Sequence, residues 1–261
     1  MSSLLWNNGS LIKRGPGSAI LTSANEYLGT TTINGGILST PLLANGGAVS
    51  GIGMSSNAAA NLILNGGTLQ YSGGATSTDH LFTLTTSGGA LDASGNGPLT
   101  FSNTGAIALS GSGDRRLTLT GTNTGANTLA SVLGDGGGPT SLTKSGNGTW
   151  VLTGTNTYSG VTNVTAGRLV INGDQSGATG AVSVASGATL NGTGTIGGNV
   201  VIGGGGTFAP GNPLAPGTLT IDGDLALGSG SSVSYQLGQA TVAGGALNDL
   251  TVVRGNLTLG R

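Results

Sequence analysis

The chain has 261 residues, of which 54 are glycine, 7% are charged and 3% aromatic, with no cysteine, one histidine and one glutamate, Glu26. A globular enzyme of this length is normally about a quarter charged and fills a wide core with aromatic rings, so this composition points away from that class. A formal net charge of −1, with Lys13-Arg14 and Arg115-Arg116 the only adjacent basic pairs, excludes the cation cluster of a nucleic-acid interface, and the lack of cysteine excludes disulfides and cysteine zinc sites.

The opening MSSLLWNNGS lacks a charged leader and a long apolar stretch, and no apolar run reaches the roughly 18 residues of a spanning helix, so neither a signal peptide nor an anchor is predicted. Apolar and polar residues then alternate in short runs, which predicts strands at SAILT, TTTI, NLILN, TLQY, LFTLT, LTFS, AIALS, RLTLT, TWVLT, RLVI, AVSV, NVVI, TLTI, SVSYQL, LTVV and NLTL. Only Asn57-Ala58-Ala59-Ala60-Asn61 hints at helix, and for one turn at most. The last residues, NLTLGR, break off inside a strand-like pattern, as in an excised or processed piece.

Glycine punctuates these runs. NGGIL ending at Leu38, NGGTL at Leu69, SGGAL at Leu91, TAGRL at Leu169, ASGATL at Leu190 and GGGTF at Phe208 each join a turn to an inward apolar residue. Several recur at the roughly 18 to 22 residues of one solenoid coil, in which glycine or asparagine supplies the positive φ of a corner. Two stretches align without a gap: Leu11 to Thr40 and Leu142 to Ile171 share about a dozen of about thirty positions. Residues that recur with them, Lys13 and Lys144, Tyr27 and Tyr158, Gly29 and Gly160, are first of all candidates for architecture.

The fold class expected is all-β, one continuous parallel β-solenoid over 1–261, with about a dozen coils and a rod about 55 to 60 Å long. Within it, 1–110 holds Gly-Gly rungs and the first copy, 111–175 a degenerate copy, RRLTLTGTNTGANTLASVLG, and the well-formed one, and 176–261 the Gly-richest coils. The competing reading is an antiparallel sandwich, but sandwiches need wide cores with aromatic anchors. Trp6 and Trp150 are the only tryptophans.

The run LTKSGNGTWVLTGTNTYSGVTNVTAGRLVI closely resembles the passenger-associated transport repeat, and GATLNGTGTIGGNVVI and GGTFAPGNPLAPGTLTIDGDLALGSGSSVSYQL look like the coils that follow it in autotransporter passengers. The resemblance implies a right-handed parallel β-helix, exported and displayed on the bacterial cell surface, with repeats that assist secretion and folding. It implies a structural stem, scaffold or adhesin, with outer-membrane contact only through segments absent from this chain.

A few residues carry groups capable of chemistry. His80 follows Asp79, but neighbours on a strand point to opposite faces, so a Ser/His/Asp triad is not expected and a solvated loop histidine is. Asp222 and Asp224 in IDGDL could form the carboxylate pair of a polysaccharide-active enzyme, or two solvated turn aspartates. GDGGG around Asp135 lacks the second acid and tandem recurrence of a calcium repeat. Trp150 and Tyr158 read as packing residues before they read as a sugar-stacking pair, and LTLTGTNTG from Leu117 to Gly125 allows an ice- or surface-binding threonine ladder. No catalytic, cofactor-binding or metal residue is expected, and no cofactor. The leading function is non-enzymatic: projection, scaffolding, adhesion to a cell-surface or matrix glycan or protein, and self-association through the solenoid ends.

Overall fold

Short strands with one apolar face cannot bury that face alone, so they must stack. The computed structural model describes residues 8–212 and 215–260; the reading of the opening residues, with Trp6, lies outside them. Among the described residues, the strands form four sheets, and every pairing between strands is parallel.

The winding is plainest mid-chain. Thr83–Thr85 joins a five-stranded early sheet, Gly89–Ala93 an eleven-stranded long sheet and Leu99–Phe101 an eight-stranded middle sheet. Ala108–Ser110 then returns to lie beside Thr83–Thr85. The early sheet ends there, and from Asp174–Gln175 to Leu250–Val253 a four-stranded late sheet follows the middle one in each circuit.

Stacking puts like on like. One column of the long sheet reads Ala19, Leu38, Leu69, Leu91, Leu119, Lys144, Val164, Val184, Ile202, Leu227 and Leu259. In the middle sheet Leu169, Leu190 and Phe208 stack in register. The glycine-corner motifs therefore deliver their apolar residue to the core, where Leu38, Leu91, Leu169 and Leu190 have no exposed surface. Each such side chain contributes about 1.5–3 kcal/mol. Phe82 and Phe101 meet edge to face with ring centroids 6.2 Å apart.

Fifteen of the expected strands coincide with observed ones, and the Ala cluster makes a single 3-10 turn, Ala59–Asn61. SVSYQL is the exception, since only Ser232–Val233 pairs. Beyond it the chain leaves the stack because Asp249 draws it into a loop, accepting from the Gln236 amide at 2.6 Å and the Gly217 amide at 2.9 Å.

The repeat is a corner, not a face. In the first copy Leu11–Lys13 lies in the early sheet and Ser18–Ile20 in the long one; in the second, Thr140–Lys144 lies in the long sheet and Thr149–Leu152 in the middle one. The same thirty-residue unit thus turns two different edges of the stack.

Candidate functional site

The recurring residues build the corner. Lys144 occupies a position filled elsewhere in its column by alanine, leucine, valine or isoleucine and is fully buried, and its ammonium donates to the carbonyls of Ser145 at 2.8 Å, Gly146 at 2.8 Å and Ala166 at 3.0 Å. Lys13 does the same with Arg14 at 2.9 Å, Gly15 at 2.8 Å and Gly35 at 3.0 Å. All three ammonium protons are used, and each lysine ties its own corner to the next one along the stack. Arg115 is a third buried cation held by carbonyls, those of Gly111 and Gly136, each at 2.8 Å. Tyr27 and Tyr158 each bond a threonine hydroxyl, Thr31 and Thr162, at 2.7 Å. Burial pushes both phenols up to about 12, against the opposing pull of those hydroxyls. Tyr158→Phe should cost about 1 kcal/mol, or about 2–4 °C in a thermal melt; an unchanged melt would mean that this bond adds nothing.

The remaining candidates are spoken for. His80 is buried, not solvated, with 1% of its surface exposed and neither ring nitrogen bonded. It is buried because the inward alternation of Thr78, His80 and Phe82 runs straight through the turn. Burial pushes its imidazole down, with the Asp79 charge pulling the other way. Asp222 pairs with Arg254 at 3.2 Å, and Asp224 accepts the Asn256 amide at 2.7 Å, so both join adjacent circuits. Asp135 accepts from the Thr140 amide at 2.7 Å and the Ser159 amide at 2.9 Å; partial burial raises its carboxyl, and these bonds outweigh that and hold it low. Trp150 is fully buried, donating to the Thr120 carbonyl at 2.8 Å. On the outer face of the long sheet, the column through Thr118 reads Thr68, Ala90, Thr118, Thr143, Asn163 and Ser183, a mixed row, not a threonine ladder.

A trough lies instead on the outer side of the middle sheet. Trp150, Leu152, Leu169 and Ile171 point to the core, so Val151 and Val170 point outward, yet they are only 7% and 4% exposed. Asn212 borders the groove over them. Gly192 and Gly211 exchange backbone bonds of 3.0 and 2.8 Å, and Gln236 donates to the Asn212 carbonyl at 2.7 Å, which sets Asn212 at the lip. Two spaces result, sharing Arg168 and Asn212: a groove of about 510 Å³ over Val151 and Val170, and a pocket of about 230 Å³ against Asn191 and Gln236. Asn191 is 2% exposed and its Oδ1 has no partner. Sequence reading did not find this site. Its one visible signal is a departure from the repeat, since Arg168 stands where the first copy has Ile37.

Parallel strands stacked around a narrow aliphatic core, turning on a repeated corner, define a β-solenoid. The family described as Passenger-associated-transport-repeat matches residues 11–39 and 142–171, the two corner units. A curated relative, the "Adhesin BmaC autotransporter" of Brucella suis biovar 1 (strain 1330), is 44% identical over 85% of this chain and 8% of its own length. The chain thus carries two of these repeats and is similar, over most of its length, to a segment of an autotransporter adhesin. It spans about 8% of the length of that relative. No solved structure matches.

Proposed function

We propose that this chain is a non-enzymatic stem of a surface adhesin: a right-handed parallel β-helix of about eleven turns that projects and presents an adhesive surface. The observation that carries this reading is the long sheet, which runs unbroken from Ser18–Ile20 to Leu257–Leu259. Ten steps of about 4.8 Å make a rod about 50 Å long. The right hand is the one that the resemblance of the corner units to the passenger-associated transport repeat implies. The corner units aid export by folding locally, since each lysine is satisfied within two adjacent circuits and needs no distant partner.

Self-association belongs to the same reading. Leu257 and Leu259 are 56% and 65% exposed on the last described strand, and a strand edge of this kind pairs either with a further coil or with another copy. Sedimentation should show concentration-dependent oligomers; a single monomeric species at high concentration would remove this element. Beads coated with the chain should adhere to host cells or matrix above beads coated with an unrelated β-helix. Adhesion at that background, or a compact small-angle scattering profile, would overturn the stem-adhesin reading.

A further inference from the structure

We propose that the trough on the middle sheet binds a saccharide bearing a carboxylate, with Arg168 as the carboxylate's partner. This rests on the adhesion reading and names its site. Three observations converge on it. Arg168 has no side-chain hydrogen bond or ion pair among the described residues, a state it shares with the exposed Arg14 and Arg116, whereas Lys13 and Lys144 are consumed by carbonyls, Arg115 is held by them and Arg254 pairs with Asp222. Nor does the corner require it, because the first copy places Ile20, Ile37 and Ser39 where Val151, Arg168 and Val170 stand in the second. Asn191, almost wholly buried, holds an amide oxygen with no partner at the pocket wall. A buried acceptor left bare costs about 1–3 kcal/mol, and a ligand hydroxyl would recover it.

The shape selects the class of ligand. Val151 and Val170 stack in register to give an apolar floor that suits one face of a sugar ring, with Arg168, Asn191 and Asn212 placed for its polar rim; the Asp249 carboxylate also lines the pocket, with its two oxygens engaged by the Gly217 and Gln236 amides. Spaces of about 230 and 510 Å³ match small-ligand sites. A peptide would dock by adding a strand to a free edge, and here the ladder amides are already paired within the sheet. Guanidinium binds carboxylate through two parallel bonds, which makes an acidic sugar the better fit than a neutral one.

The test titrates the whole chain with free oligosaccharides of galacturonate, glucuronate and sialic acid, neutral galactose oligosaccharides of equal length, and an Asp-Gly peptide of equal charge. Calorimetry and the arginine side-chain NMR signals are the readouts. At least one acidic saccharide should bind, about tenfold or more above its neutral counterpart, and Arg168→Ile should weaken it about tenfold to a hundredfold with the thermal melt unchanged. Asn191→Ala should weaken acidic and neutral saccharides alike, a second check on the same pocket. No binding by any acidic saccharide, equal binding of neutral ones, preference for the peptide, or indifference to Arg168→Ile would each overturn the proposal. Beads bearing Arg168→Ile that adhere as well as wild type would remove the site and leave the adhesion reading standing. Wild-type beads that fail to adhere while the saccharide still binds would do the reverse.

Discussion

Gly180→Ala should destabilise the chain by about 3 kcal/mol and lower its melting temperature by about 10 °C. The cause is a glycine column. Gly160, Gly180, Gly198, Gly223 and Gly255 precede the successive long-sheet strands that begin at Thr162, Val182, Val200, Leu225 and Leu257, at the same offset in each circuit. Their backbones touch: a Cβ on Gly180 would lie 1.9 Å from the Gly160 carbonyl oxygen, and one on Gly198 would lie 2.1 Å from that of Gly180. Since the colliding atom is backbone, only a separation of adjacent circuits relieves it. Gly187→Ala is the control, because its φ of +76° carries a conformational cost of about 1 kcal/mol while nothing lies within 4 Å of the added carbon. Equal losses from the two variants would refute the contact account. Repeat arrays are held by nearest-neighbour interfaces, so hydrogen exchange should rise first in the circuits flanking residue 180.

The architecture was legible because its rules are local. Period-two alternation located the strands, glycine marked the corners, and the gapless copy exposed the repeat. Legibility failed wherever a partner lies a full circuit away. Lys13 and Lys144 recur in sequence, but that each replaces an aliphatic rung and gives its three protons to carbonyls is visible only once Gly35 and Ala166 are brought alongside. His80 reads as polar, and nothing in ATSTDHLF says that the inward phase continues through the turn. The loop after Val233 alternates like a strand, yet the Asp249 carboxylate captures the Gln236 amide from thirteen residues on. The trough escaped detection for the same reason: its floor comes from Val151 and Val170, its lip from Asn212 and its rear wall from Gln236, four positions that no pattern in the sequence connects.

Lys144→Ala should be at least as damaging as the glycine variant, with a loss of about 3–5 kcal/mol. It opens a void in the long-sheet column between Leu119 and Val164 and strips the donor from three carbonyls together. Lys144→Met separates these effects, since it refills most of the void and removes only the charge and its bonds, so its loss should be clearly smaller. Their pH dependence should differ as well. Burial pushes the Lys144 ammonium down to about 8, whereas in the unfolded chain it titrates near 10.5. Between those values the unfolded chain holds a proton that the folded chain has released, so rising pH favours folding of the wild type. The methionine variant lacks this group, so the stability difference, wild type minus Lys144→Met, should climb between pH 8 and 10, by at most about 1.4 kcal/mol per unit. Below pH 8 it should be flat, because both states of the wild type are then protonated. Paired denaturant titrations at pH 7, 8, 9 and 10 measure this directly. A difference that stays level to pH 10 would show that the carbonyl cage holds the cation more strongly than burial discharges it, and the lysine would then be a permanent buried charge at the corner.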